Sequence, residues 1–153
     1  MIYIAYGSNL NKAQMAMRCP KAECLGPWTL DGWRLVFRGV ADMVRDDTST
    51  CEVGLWRITD ECEEALDRYE GFPTLYRKHY FETHPTLPEP GEPMMAYLMN
   101  STGVSMPPRG YLESISEGYD DFGLAKSYLG EALDWTMANK VGEGYISRRY
   151  STK

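Results

Sequence analysis

The spacing of hydrophobic and polar residues changes period several times along the chain, and each change marks an element. Ile2-Tyr3-Ile4-Ala5-Tyr6 is a run of β-branched and aromatic residues that stops at Gly7-Ser8-Asn9, the composition of a buried strand entering a tight turn. Asn11 to Met17 reads as one or two helical turns ending near Cys19-Pro20, because proline biases the preceding residue out of helix. From Cys24 to Arg38, strand-forming residues are broken by Gly26-Pro27 and Asp31-Gly32, which predicts a long bent strand or a hairpin. Val40 to Val44 and Cys51 to Ile58 predict a hairpin around the polar turn Arg45 to Thr50.

At Asp60 the period becomes helical: Cys62, Ala65, Leu66 and Tyr69 fall on one face. Thr59 or Asp60 can cap the start, Asp60 with Glu63 makes a D-x-x-E box, and Gly71 followed by Pro73 ends the helix. Tyr76 to Thr83 and Met94 to Met99 predict two more strands, joined by a proline-rich turn from Pro85 to Pro93. Ser101 to Arg109 is a loop, Tyr111 to Glu117 has the length of two helical turns, and Gly118 predicts a break. A final helix is expected to bury Leu124, Tyr128, Ala132 and Trp135. The tail from Gly142 to Lys153 shows no readable pattern. Strands dominate the middle and helices the end, so the expectation is an α+β chain with five or six strands, forming one domain over residues 1–153.

Composition narrows the function classes. With 153 residues, 43% hydrophobic and 25% charged, the chain can bury a core without disulfide or metal staples. A net charge of −6 disfavours phosphate backbones, so no nucleic-acid partner is expected; Arg148-Arg149 with Lys153 is read as a solvated terminus. Cys19, Cys24, Cys51 and Cys62 form no C-x-x-C pair, and only His79 and His84 could assist them, so no metal site is expected. The chain shows no secretory leader and no apolar run of the roughly 18 to 20 residues that span a bilayer, so a soluble, cytoplasmic protein without membrane partners is expected.

Two places could carry chemistry. Gly7-Ser8-Asn9 allows the main chain to approach a ligand, and successive N–H groups in such a turn can converge on one oxygen. The same three residues also suit an ordinary turn with Asn9 as a helix cap. Glu70 sits at the C-terminal end of its helix, where the dipole disfavours a carboxylate by roughly 0.3 to 1 kcal/mol. Beside Gly71-Phe72-Pro73, burial would raise its pKa and suit it to acid/base work; an exposed Glu at a frayed helix end is the alternative.

Tyr6-Gly7-Ser8-Asn9-Leu10 and Leu66-Asp67-Arg68-Tyr69-Glu70-Gly71, followed by Tyr76-Arg77 and a late Pro107-Pro108-x-x-Tyr111-Leu112 leading through Gly118 to Gly123-Leu124, resemble the γ-glutamylcyclotransferase-like (AIG2-like) proteins. The resemblance covers roughly residues 1 to 125. It implies a small, mostly antiparallel β-barrel with flanking helices, and a pocket where the first loop meets the Glu. It also implies cyclisation of a γ-glutamyl amine, amide or peptide to 5-oxoproline, without a cofactor. In that reading Glu70 is the acid/base, Tyr6 walls the pocket, Gly7, Ser8, Asn9 and Leu10 bind substrate, and Tyr111 places a hydroxyl at the rim. Arg34, Arg38 and Arg77 are candidate partners for a substrate carboxylate, but each is more often a surface or ion-pair residue, and they are left out of the expected site. A non-catalytic binding module on the same fold is the rival reading, and a hydrolase using Cys19 or Cys24 the third.

Overall fold

Five strands form one sheet in the computed structural model, which describes residues 1–82, 91–147 and 149–150. In chain order they are β1 (Ile2–Ala5), β2 (Glu23–Phe37), β3 (Ala41–Arg57), β4 (Tyr76–Phe81) and β5 (Met94–Met99). They lie side by side as β2-β3-β1-β5-β4, antiparallel except for the parallel pair β1–β5. Every residue of β1 and β5 is buried, which is why both read as continuous apolar runs instead of alternating. The chain leaves central β1 at Ala5, so the Gly7 loop stands at the end of the most enclosed strand.

The barrel expected from the resemblance is not closed. The edge strands β2 and β4 meet through side chains: the Trp33 ring lies 5.4 Å from His79 and 5.3 Å from Phe81. Bulky rings hold the edges at packing distance, while closure would need main-chain hydrogen bonds between strands about 4.8 Å apart.

The expected turn at Arg45–Thr50 lies inside β3. The hairpin β2–β3 reverses at Gly39, which has φ 82°. Asp31 pairs with Thr50 and Trp33 with Arg45, so Gly32 alone faces the four residues Asp46–Ser49. The polar stretch is therefore a wide bulge, and its hydrogen bonds are local. The Asp46 carboxylate accepts from the Thr48 N–H at 3.0 Å, from the Thr48 hydroxyl at 2.7 Å, from Ser49 at 3.1 Å and from Arg34 at 2.8 Å.

Among the described residues four α-helices flank the sheet: α1 (Lys12–Arg18), α2 (Asp60–Glu70), α3 (Arg109–Phe122) and α4 (Lys126–Ala138). Asn11 caps α1 by accepting the Gln14 N–H, and Thr59 caps α2 by accepting that of Cys62. Gly71, at φ 67°, terminates α2 in the left-handed conformation expected of a C-cap glycine. No break occurs at Gly118. The helix α3 runs through it, and the glycine is needed because a Cβ there would lie 2.6 Å from the Leu10 side chain and 2.8 Å from the Asn11 nitrogen.

In α4 the buried positions are Leu129, Ala132 and Thr136, whereas Tyr128 of the expected stripe is exposed and Trp135 only partly covered. A polar residue belongs to the buried face because Thr136 is satisfied on both sides: its hydroxyl donates to the Ala132 carbonyl at 2.8 Å and accepts the Phe37 N–H at 3.3 Å. Thr83, His84, most of the proline-rich turn, Arg148 and Lys153 lie outside the described residues. Among the described residues no helix is long and apolar enough to cross a membrane.

The tail is folded onto the hairpin turn. The Tyr145 N–H donates to the Arg38 carbonyl at 2.7 Å, and Val141 pairs with Val104. A Cβ on Gly39 would fall 1.8 Å from the Tyr145 carbonyl oxygen, so glycine meets both the positive φ and the close approach.

Candidate functional site

Residues 8–10 following β1 form a single 3-10 turn, closed by the Leu10 N–H on the Gly7 carbonyl at 3.1 Å. The Ser8 and Asn9 N–H groups precede that closing bond and have no acceptor inside the turn. The turn is held from behind, where the Trp56 indole N–H donates to the Asn9 carbonyl at 3.1 Å. Gly7 is set by sterics: a Cβ there would lie 2.7 Å from the Tyr111 hydroxyl and 3.1 Å from the Ala41 Cβ.

Asn9 is not a helix cap, since Asn11 takes that role, and its amide is committed to the pocket instead. Its Oδ1 accepts from Arg18 at 2.8 Å, while its Nδ2 donates to the Tyr3 hydroxyl at 2.9 Å and to Glu70 Oε1 at 3.3 Å. A guanidinium can only donate, so Arg18 fixes which way the Asn9 amide faces and keeps its NH2 on Glu70. Arg18 is itself anchored by Gln14 at 2.8 Å and stacks 3.6 Å over the Tyr69 ring.

Glu70, the last residue of α2, is partly buried against this loop. Burial pushes its carboxyl up to about 7, against the opposing pull of the Arg18 and Arg149 guanidiniums. A single hydrogen bond thus joins the first-strand loop to a carboxyl that titrates near neutrality.

One pocket contains Tyr6, Gly7, Ser8, Asn9, Glu70 and Tyr111 in its lining, with about 550 Å³ of space including the part open to solvent. Leu10 is not among the lining residues: it is fully buried and packs between Gly54 and Gly118, so the substrate-binding role expected for it is corrected to a core role. Tyr111 is a wall, not a rim. It is buried, and its hydroxyl accepts the Ala41 N–H at 3.0 Å.

Sequence reasoning missed most of the tyrosines. Eight of the eleven in the chain line this pocket. The signal available was their number, since tyrosine pairs an apolar ring with a hydroxyl that seeks a partner when buried. Tyr76 donates to the Ala41 carbonyl at 3.3 Å, Tyr97 to Asp67 at 2.5 Å, Tyr6 to the Tyr97 carbonyl, and Tyr69 shares a hydrogen bond with Ser8 at 3.1 Å. Burial raises the pKa of Tyr3, Tyr6, Tyr76 and Tyr111, and that of Tyr69 to about 12, so all remain neutral near pH 7. The tail adds Tyr145, Ser147, Arg149 and Tyr150; of these the sequence had marked only Arg149, as part of a solvated terminus, and the structure places it in the pocket lining.

The remaining sequence candidates lie elsewhere. Arg34 pairs with Asp46 and Arg38 with Asp42, both at 2.8 Å, while Arg77 donates to the Met99 carbonyl at 2.7 Å. Cys19 is buried, which drives its thiol up to about 12, the wrong direction for a nucleophile, and neither it nor Cys24 lines the pocket.

Comparison with known proteins agrees on the fold. A family model described as gamma-glutamyl cyclotransferase, AIG2-like, matches residues 3–119. A solved gamma-glutamyl cyclotransferase superposes with a TM-score of 0.72 at 21% identity, over 97% of this chain and 94% of that one. YkqA from Bacillus subtilis superposes with a TM-score of 0.69 at 23% identity, over 93% of this chain and 56% of that one. No curated protein matches the sequence.

Proposed function

The chain belongs to the gamma-glutamyl cyclotransferase, AIG2-like family, and from that premise we propose that it converts a γ-glutamyl amine, amide or peptide to 5-oxoproline, with Glu70 moving the protons. The observation that carries this reading is the contact between Asn9 and Glu70, at 3.3 Å, beside a carboxyl raised to about 7.

The chemistry asks little else of the protein. The substrate's own α-amine attacks its γ-carbonyl carbon, so the new C–N bond closes a five-membered ring and no enzyme nucleophile is required. The α-ammonium must first lose a proton, and Glu70 in its ionised form accepts it. Collapse of the tetrahedral intermediate breaks the original amide C–N bond, and the proton held by Glu70 goes to the departing nitrogen. The surplus proton left on the new ring nitrogen passes through the freed Glu70 carboxylate to the released amine, which leaves as an ammonium. A group poised near neutrality serves both directions, and such help is typically worth about 10² to 10⁴ in rate.

The negative charge on the γ-oxygen in the intermediate needs donors. The Ser8 and Asn9 N–H groups, free of acceptors inside their turn, suit that role, and the Ser8 hydroxyl stands beside them. The neutral tyrosine walls exclude water and present ring faces to the glutamyl methylenes.

The test is 5-oxoproline release from a panel of γ-glutamyl amines, amides and peptides, measured on the wild type and on Glu70→Gln. The expected result is turnover of at least one class by the wild type and a loss of about 10²-fold or more in kcat for the variant. Undiminished turnover in Glu70→Gln would refute the mechanism. Turnover of no compound would favour a binding module on this fold.

A further inference from the structure

The γ-glutamyl group carries an α-carboxylate as well as an α-amine, and the pocket must place both. Glu70 suits the amine. The anion needs a cation, and the guanidiniums of Arg34, Arg38 and Arg77 are engaged away from this pocket. Arg18 stands close by, but its donors are directed at Asn9 and Gln14 and it is not among the lining residues.

Arg149 does line the pocket. Its guanidinium lies 4.2 Å from the centre of the Tyr69 ring. Among the described residues its one hydrogen bond is a long contact of 3.4 Å to the Tyr69 carbonyl. A guanidinium has five N–H donors in a planar fork that matches a carboxylate, so most of this capacity is unused. Arg149 and Glu70 line the same pocket, and the charge of the guanidinium opposes the rise in that carboxyl's pKa.

Described residues near Arg149 are held against the body of the fold. Tyr150 packs edge-on against Tyr111 with ring centres 5.2 Å apart and donates to Gln14 at 3.2 Å. Upstream, a Cβ on Gly144 would fall 1.8 Å from the Ser105 hydroxyl and 2.6 Å from the Arg38 carbonyl carbon, so the strap lies flat on the hairpin turn. Arg149 therefore approaches the pocket from a strap anchored at both sides, and that strap lies beyond residues 3–119, the part that the family model matches.

We infer that Arg149 binds the substrate's α-carboxylate and makes the enzyme require a γ-glutamyl group in place of a plain 4-aminobutyryl group. This rests on the cyclotransferase reading of the pocket. The carboxylate would sit bidentate on the guanidinium, with the α-amine turned towards Glu70 and the γ-carbonyl towards the loop.

The experiment compares two substrates that differ only in the carboxylate: a γ-glutamyl amide and the matching 4-aminobutyryl amide, which keeps the amine and the carbonyl and would cyclise to 2-pyrrolidone. The wild type should prefer the γ-glutamyl compound. Arg149→Ala should raise KM for it by about 10- to 100-fold relative to KM for the 4-aminobutyryl amide, as expected for a charge-assisted pair, while any change in kcat from losing the cation's pull on Glu70 is common to both substrates. Arg149→Lys should recover part of the loss, because it keeps the charge without the fork. An equal rise in KM for both substrates would show a structural role and overturn the assignment, as would no change in KM for either. If the wild type turns over neither compound, the panel of γ-glutamyl amines, amides and peptides decides the cyclotransferase reading, and calorimetry with 5-oxoproline against 2-pyrrolidone decides Arg149 separately. A wild-type preference for 5-oxoproline that Arg149→Ala abolishes supports the carboxylate site; no preference, or one that the variant retains, overturns it.

Discussion

Replacing Glu70 by Gln should stabilise the protein above neutral pH while removing its proposed chemistry. The carboxyl is raised from the ordinary 4.5 to about 7 by burial, so its folded-state pKa lies above its unfolded one. Below pH 4.5 both states are protonated and Glu70 adds no pH dependence. Between 4.5 and 7 the unfolded chain has lost the proton that the folded chain keeps, so stability falls as pH rises, and above 7 the loss is complete. At about 1.36 kcal/mol per unit the shift amounts to roughly 3 kcal/mol, and the pocket's open side reduces this to about 2.

Glutamine has the same shape and keeps an oxygen for the Asn9 amide, yet it does not titrate. The stability of Glu70→Gln relative to wild type should therefore rise by about 2 kcal/mol between about pH 4 and pH 8. Urea denaturation of both proteins at a series of pH values measures it, and in melting temperature the change is roughly 4 to 8 °C for a chain of this size. A difference that is flat with pH, or that moves towards the wild type as pH rises, would refute the argument that burial strains this carboxylate.

Two further substitutions test the packing that places the site. Gly7→Ala puts a methyl 2.7 Å from the Tyr111 hydroxyl, and should cost about 1 to 3 kcal/mol in urea denaturation while lowering kcat by shifting the loop. Thr136→Val removes the acceptor of the Phe37 N–H and leaves a buried donor unpaired, so it should cost about 1 to 3 kcal/mol, whereas Thr136→Ser should cost less than half as much.

Local chemistry made several elements legible. The cap at Thr59, the period of Cys62, Ala65, Leu66 and Tyr69, and the stop at Gly71 all reside within one stretch of chain, and α2 begins and ends within a residue of where they place it. The run Ile2–Tyr6 and its polar stop likewise mark β1 and the loop after it. Long-range causes were not legible. Gly118 looks like a helix break until Leu10 is seen lying against it, and the polar run Asp46–Ser49 looks like a turn until its pairing with β2 shows a bulge. Leu10 shares a motif with pocket residues but points into the core, because the 3-10 turn rotates successive side chains to different sides.

By itself, the sequence determined the strand that leads into the loop, the helix that ends on Glu70, and the family, because these depend on residue types at short spacings. Only the tertiary structure decided that Asn9 touches Glu70, that eight tyrosines share one pocket, and that a tail with no readable pattern brings Arg149 to its mouth. Such contacts join residues far apart in the chain: Asn9 and Glu70 are separated by 61 positions, Tyr69 and Arg149 by 80. The carboxyl's pKa belongs with them, since burial sets it and burial is a property of the packed whole.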